Sequence, residues 1–213
     1  MNDADVVAFR ADLKSGGSGI FTGSGGAVTT IADTHDLLSG FEGLPVISRQ
    51  GRVVFRADRG DGGKGVYVGS GGSFVPIAET GDRFRNFASF PSINDQETVA
   101  FGATLNAGGA GVFTATAGTL TTVIDGSGPF ESFRGALINN AGTVVFAATP
   151  RSGKLGIYAG PDPVADKVIA MGDLFLGSTI AGFALNPVSV NAAGQMVIRI
   201  KLADDRQMIV QVE

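Results

Sequence analysis

Runs of about five to eight residues, rich in Val, Ile, Phe and Thr, recur along the chain, each bounded by Gly, Pro, Asn or Asp. No stretch keeps the i, i+3, i+4, i+7 apolar face of a helix without a glycine interrupting it. The pattern predicts an all-β protein. It is also periodic. "VVAFRADL" (6–13), "VVFRADRG" (53–60), "VAFGATLN" (99–106) and "VVFAATPR" (144–151) align on Phe9, Phe55, Phe101 and Phe146, at spacings of 46, 46 and 45 residues. A divergent fifth copy, "MVIRIKLA" (196–203), puts Ile198 in the same column 52 residues further on.

Each anchor strand leads into a Gly-rich turn and a second short strand, as in "GGSGIFTGSGG" and "GGKGVYVGSGG". Gly19, Gly65, Gly111 and Gly156 precede this strand, and an aliphatic–aromatic pair always follows them. A third segment comes next ("VTTIADTHD", "FVPIAETGD"), then one carrying Phe41, Phe87, Phe133 or Phe183 that runs into the following copy. The repeats therefore span about 1–46, 47–92, 93–137 and 138–189, with a partial copy at 190–213, in a single domain. A unit of this size with three or four antiparallel strands predicts a five-bladed β-propeller. Closing the ring would remove unpaired strand edges. A four-bladed ring with an added hairpin, or a fragment of a longer array, fits the same count. Met1 stands one residue before a repeat boundary, so a piece of a longer protein is expected.

Composition narrows the function classes. A hydrophobic fraction of 44% over 213 residues supports a folded core, and a net charge of −4 with scattered cations argues against nucleic acid. Absence of cysteine removes disulfides, thiolate catalysis and Cys-ligated zinc. No apolar run approaches the length of a spanning helix, and no membrane insertion is expected. Fifteen Phe and no Trp suggest aromatics chosen for packing rather than for recognition.

"INNAG" (138–142) resembles a dinucleotide-enzyme fragment, yet it has three companions in the repeat, "ISRQG" (47–51), "INDQE" (93–97) and "VNAAG" (190–194). Asn or Ser followed by Gly three residues later is the preference of a type I turn. Without a Gly-rich strand-to-helix motif, the column is read as turns. "GSGG" at 23–26 and 69–72 lacks the Lys-Ser/Thr of a phosphate loop, and "RGD" (59–61) falls in a turn whose counterparts read otherwise. No cofactor is implied.

Acids recur after the third strand. Asp36, Asp82 and Asp173 share a column, with Asp33, Glu79 and Asp125 close before it. On one ring face, Asp33, Asp36, Glu79, Asp82 and Asp173 could meet a polyol or a cation, although turn closure explains Asp in these loops equally well. No calcium-loop spacing is present, so no metal site is assigned. His35 is the single histidine, and no nucleophile motif accompanies it; no catalytic residues are assigned. Arg83, Arg85 and Arg134 vary between copies and are candidates for a partner or for solvent.

The unit resembles that of bacterial tandem-repeat proteins reading approximately N-x-x-G-x-V-x-F-x-A before a Gly-rich turn. "INNAGTVVFAA" (138–148) matches it throughout; "INDQETVAFGA" departs at Glu97 and "ISRQGRVVFRA" at Ser48. This resemblance implies a secreted or envelope-associated scaffold and carries over no catalytic residue. The expectation is a monomeric, non-enzymatic module that binds a protein or other ligand through one ring face. The alternative is a lectin-like binder of carbohydrate or another small ligand with equivalent sites between blades, although the Trp-rich sites of five-bladed lectins are missing.

Overall fold

The computed structural model describes every residue except Asp36, Ser89, Ala192 and Glu213. Among the described residues, 20 strands form five antiparallel sheets. The first sheet holds β1 (Val7–Asp12), β2 (Ser18–Gly23) and β3 (Thr29–Asp33). The second holds β4 (Leu38–Ile47), β5 (Val53–Arg59), β6 (Lys64–Ser70) and β7 (Ser73–Glu79). In the third, β8 (Phe84–Phe87) and β9 (Ser92–Ile93) both pair with β10 (Val99–Leu105), followed by β11 (Ala110–Thr116) and β12 (Thr119–Asp125). The fourth runs β13 (Phe130–Ile138), β14 (Val144–Pro150), β15 (Gly156–Tyr158) and β16 (Lys167–Ala170). The fifth runs β17 (Leu174–Phe175), β18 (Ser178–Ala184), β19 (Met196–Leu202) and β20 (Gln207–Val212).

Sheet and sequence repeat are offset by one strand. The Phe-bearing segment that ends a repeat pairs with the anchor strand of the next, in one constant register. Phe41 faces Ala57, Phe87 faces Ala103, Phe133 faces Ala148 and Phe183 faces Ile200. Among the described residues the first sheet has no such leading strand, and there β1 pairs only with β2.

Ring packing explains the recurring order of residues within a unit. The anchor Phe lies directly across from the aromatic of the second strand, so Phe55 stacks on Tyr67 and Phe101 on Phe113 at 5.8 Å between centroids. Phe146 stacks likewise on Tyr158. A third ring from the leading strand meets each pair edge-on: Phe41 on Phe55, Phe87 on Phe101, Phe130 on Tyr158. The second aromatic folds back over the glycine two residues before it. A Cβ on Gly65 would stand 2.6 Å from the Tyr67 ring, and one on Gly19 would stand 2.6 Å from that of Phe21, so only glycine fits.

Successive sheets face one another through four buried clusters. Phe55 and Tyr67 belong to the junction of sheets one and two, and Val54 and Phe101 to that of two and three. Ala100 and Phe146 join three to four, and Val145 and Ile198 join four to five. Among the described residues no buried cluster joins the fifth sheet to the first. The outward face of β19 carries exposed Val197, Arg199 and Lys201. These contacts make five sheets in succession; a closed five-bladed ring is not among them.

Candidate binding site

Five turns of one design precede the anchor strands. In Asn139–Thr143, the Asn139 N–H donates to the Thr143 carbonyl and the Gly142 N–H to the Asn139 carbonyl, both at 3.1 Å. Ser48–Arg52, Asn94–Thr98 and Asn191–Gln195 repeat this pair of bonds. So does Asn2–Val6, which lies outside the sequence column. Its signal was Asn followed three residues later by Asp, a residue that tolerates left-handed backbone. The fourth turn residue is left-handed in every copy: φ is 57° at Asp5, 81° at Gly51, 59° at Glu97, 84° at Gly142 and 89° at Gly194. This is a type I turn followed by a left-handed residue. The Asn side chain completes it, as Asn139 Oδ1 accepts the Thr143 N–H at 2.9 Å.

The turns are also bonded to each other, one repeat apart. Asn2 Nδ2 donates to the Ser48 carbonyl at 3.3 Å, the Arg49 N–H to Asp95 Oδ1 at 3.1 Å, and Asn94 Nδ2 to the Asn139 carbonyl at 3.0 Å. Asn140 and Asp95 exchange two further bonds. A polar cavity of about 230 Å3 lies where they meet, lined from all five turns by Asn2, Ser48, Asn94, Asn139 and Asn191. Asn2, Asn94, Asn139 and Asn191 each commit their side-chain oxygen to an N–H of their own turn. The cavity is therefore walled by side chains that hold the turns.

A different opening, with a volume of about 420 Å3, lies between the fourth and fifth sheets. Phe90, Phe133, Phe183 and Leu185 form most of its wall, and Ala147 its floor. Its origin can be followed through one column of the anchor strands: Arg10, Arg56, Gly102, Ala147 and Arg199. Arg56 is 6% exposed and fills the junction of sheets two and three, where it bonds Glu42 at 2.9 Å and Asn86 at 3.0 Å. At Gly102 a Cβ would come 3.1 Å from that of Ala88 in its own sheet and 3.9 Å from the Gly135 nitrogen of the fourth sheet, so little room is left there for a side chain. Ala147 neither fills nor closes its junction, and a cleft remains.

Arg134 stands across from Ala147 in register and lines the same cleft. Its side chain is exposed and has no hydrogen-bond or ion-pair partner among the described residues. Several other cations are committed: Arg83 bonds Thr122 at 2.7 Å and lies over the Phe113 ring, and Lys64 bridges Asp58 and Glu42. The cleft thus joins an apolar wall to one free guanidinium, the usual composition of a ligand pocket. Phe133, Phe183 and Arg134 stand out in the sequence, but their convergence does not. The size series down the Ala147 column was the available signal.

The acidic candidates take up separate local tasks. Asp33 accepts the His35 N–H at 3.0 Å and pairs with its Nδ1 at 3.1 Å. Glu79 accepts the Tyr67 hydroxyl at 2.8 Å and pairs with Arg59 at 3.0 Å. Asp173 caps the Ala170 N–H and pairs with Lys167 at 3.0 Å. Asp82 is exposed, with its carbonyl accepting from Asn106, and Asp36 lies outside the described residues. Among the described residues no three His, Asp or Glu stand together as a metal-binding group would. Arg59 and Asp61 of the "RGD" turn bond each other at 2.6 Å.

Proton affinities follow these bonds. Burial, then the bond to Glu79, pushes the Tyr67 hydroxyl upward, and burial raises Tyr158. Asp61 is held low mainly by the Gly63 N–H, Asp125 by the Ser127 hydroxyl, and Asp162 by the N–H groups of Ala165 and Val164. All three are turn carboxylates outside the cleft.

A family model covers residues 1–208. The chain belongs to DUF7453, a family of unknown function. No curated protein matches it. Similar solved structures include the BP39L lectin from Burkholderia pseudomallei, at 14% identity and a TM-score of 0.47, covering 98% of this chain and 63% of the lectin. A candidate gluconolactonase has 12% identity and a TM-score of 0.46, over 90% of this chain and 69% of its own. A candidate exo-β-1,3-galactanase from Bifidobacterium bifidum s17 has 12% identity and a TM-score of 0.43, over 100% and 85%. At these identities and scores, none assigns an activity to this family member. No helix among the described residues is long and apolar enough to cross a membrane.

Proposed function

We propose that this protein is a non-enzymatic binding module whose five sheets stand as blades about one axis. Its ligand, a protein segment or small molecule, places an apolar group against Phe133 and Phe183 and an acidic group on Arg134. The cleft beside Ala147 is the observation that carries this reading, because it joins an apolar wall to an uncommitted cation. Burying one aromatic or branched side chain there contributes about 1.5–3 kcal/mol. A charge-assisted bond to Arg134 adds about 1.5–3 kcal/mol where water is excluded. An extracytoplasmic location is part of the proposal and rests on the likeness of the repeat unit.

The test uses NMR titration of the whole chain with aryl carboxylic acids, with a glycan array run in parallel. Shifts confined to Ala136, Ala147 and Ala184, and lost in Ala147→Leu, support the cleft. Carbohydrate binding at several sheet junctions, with no response at these alanines, would replace it with a lectin-like reading.

A further inference from the structure

At the junction of sheets two and three lies a groove of about 590 Å3. Val75, Pro76 and Ile77 of β7 form one wall, and Ala115 with the Ala117–Gly118 turn between β11 and β12 forms the other. Ile77 and Ala115 touch the buried cluster of this junction, whereas Val75 is 52% exposed. Arg52, Asp95 and Glu97 bring charge to the groove from the turns that precede β5 and β10.

Three lining residues depart from the repeat. The position of Arg52 holds Val6, Thr98, Thr143 and Gln195 in the other copies, and that of Glu97 holds Asp5 or a glycine. Ala117 takes the place of Gly71 in the β6–β7 turn, where Ser70 faces Ser73 as Thr116 faces Thr119. Glu97 and Ala117 are both left-handed, with φ of 59° and 48°. Two residues that carry a Cβ in that conformation therefore border one groove. Backbone strain of this kind gathers at ligand clamps and active sites.

The charges of the groove are only partly used within the protein. The Asp95 carboxylate accepts the Arg49 N–H at 3.1 Å and bonds the Asn140 side chain. Glu97 and Arg52 stop short of each other, with Oε1 3.8 Å from Nε. That Nε is buried without a hydrogen-bond partner among the described residues, and Nη1 reaches Ser70 Oγ only at 3.5 Å. A carboxylate and a guanidinium thus stand side by side at an apolar wall without bonding each other.

We propose that this groove binds a free α-amino acid with an apolar side chain. Its carboxylate lies on the Arg52 guanidinium, its ammonium on Glu97, and its side chain against Val75 and Ile77. An α-amino acid carries its two charged groups on one carbon, so they can meet two neighbouring charges of opposite sign at once. A ligand with one charge meets its like as well as its opposite here, and like charges placed together are unfavourable. The proposal gives Glu97 a use at a position where its backbone favours glycine. The groove shares no residue with the Arg134 cleft, and either proposal can fail without the other.

The experiment titrates the intact chain with L-leucine, L-leucine methyl ester and 4-methylpentanoate, which carry both charges, the ammonium alone and the carboxylate alone. NMR follows the amides of Ala115, Ala117 and Gly118, and calorimetry gives the affinities. Leucine is expected to shift these amides and to bind about tenfold more tightly than either analogue. Glu97→Gln keeps the left-handed side chain and the denaturant midpoint, and should weaken leucine about tenfold without weakening 4-methylpentanoate. No shift at these amides at millimolar leucine would overturn the proposal. So would equal binding of the three ligands, unchanged leucine affinity in Glu97→Gln, or shifts confined to Ala136, Ala147 and Ala184.

Discussion

Asn94 Nδ2 donates to the backbone carbonyl of Asn139 at 3.0 Å across 45 residues, which ties a turn to its own counterpart one repeat later. Asn94 is 5% exposed and its Oδ1 also accepts the N–H groups of Gln96 and Thr98. One side chain therefore closes its own turn and fastens the next. Asn94→Ala leaves two amides and a carbonyl short of partners, with an expected loss of about 2–3 kcal/mol. Urea unfolding checks this, and a loss under about 1 kcal/mol would mean that the turns hold together without it.

The anchor aromatics should not be equivalent. Phe101 is 1% exposed among Phe84, Phe87 and Phe113, so Phe101→Ala is expected to cost about 3–5 kcal/mol. Phe9 has one ring partner and a half-exposed face, and Phe9→Ala is expected to cost about 1–2 kcal/mol. Equal costs, measured by denaturant unfolding, would show that the first sheet is packed like the others.

Asp125 gives the chain a defined acid response. The Ser127 hydroxyl and N–H hold its carboxyl below the ordinary value of 3.8, so folding favours the ionised form. That contribution is complete above the unfolded value and is lost as pH falls through the lower folded value. Asp125→Asn should therefore melt below wild type at pH 7, and the gap should narrow as pH drops below 3.8. A gap that stays constant with pH, followed by circular dichroism, would assign the effect to shape rather than charge.

The all-β class was legible because the anchor Phe and the glycine under the second aromatic are forced by packing, and forced residues recur along the sequence. Asn139 and Gly142 were legible as a turn for the same reason. The bonds from one turn to the next were not, since Asn94 reaches a backbone carbonyl and a carbonyl leaves no mark on residue type. Ring closure is an expectation from the copy number; the buried clusters among the described residues join the five sheets in succession and include none between the fifth and the first. The cleft escaped notice because it comes from a departure from the repeat: Ala147 is small where Arg56 fills its space, and alignment on shared residues passes over it. The acid column shows the reverse. Asp33 and Glu79 align, with Asp173 in the neighbouring column, because loops of one kind need similar caps, and the structure gives each its own partner.

Glu97 is where the turn design and the residue type conflict. Its φ of 59° is the left-handed conformation that Gly51, Gly142 and Gly194 adopt without a Cβ, and Asp5 with a side chain suited to it. A Glu there gives up about 1–2 kcal/mol. Its ion pair with Arg52, 3.8 Å long between partly exposed side chains, offsets little of that. Glycine brings its own entropy cost in the unfolded chain, which reduces the gain. Glu97→Gly is therefore expected to stabilise the protein by about 0.5–1 kcal/mol, and Gly142→Ala to destabilise it by a similar amount. Denaturant midpoints of the two variants decide the matter. If Glu97→Gly lowered the midpoint, the Arg52 contact would be stronger than its geometry implies, and this turn would be held by its side chain rather than by its backbone.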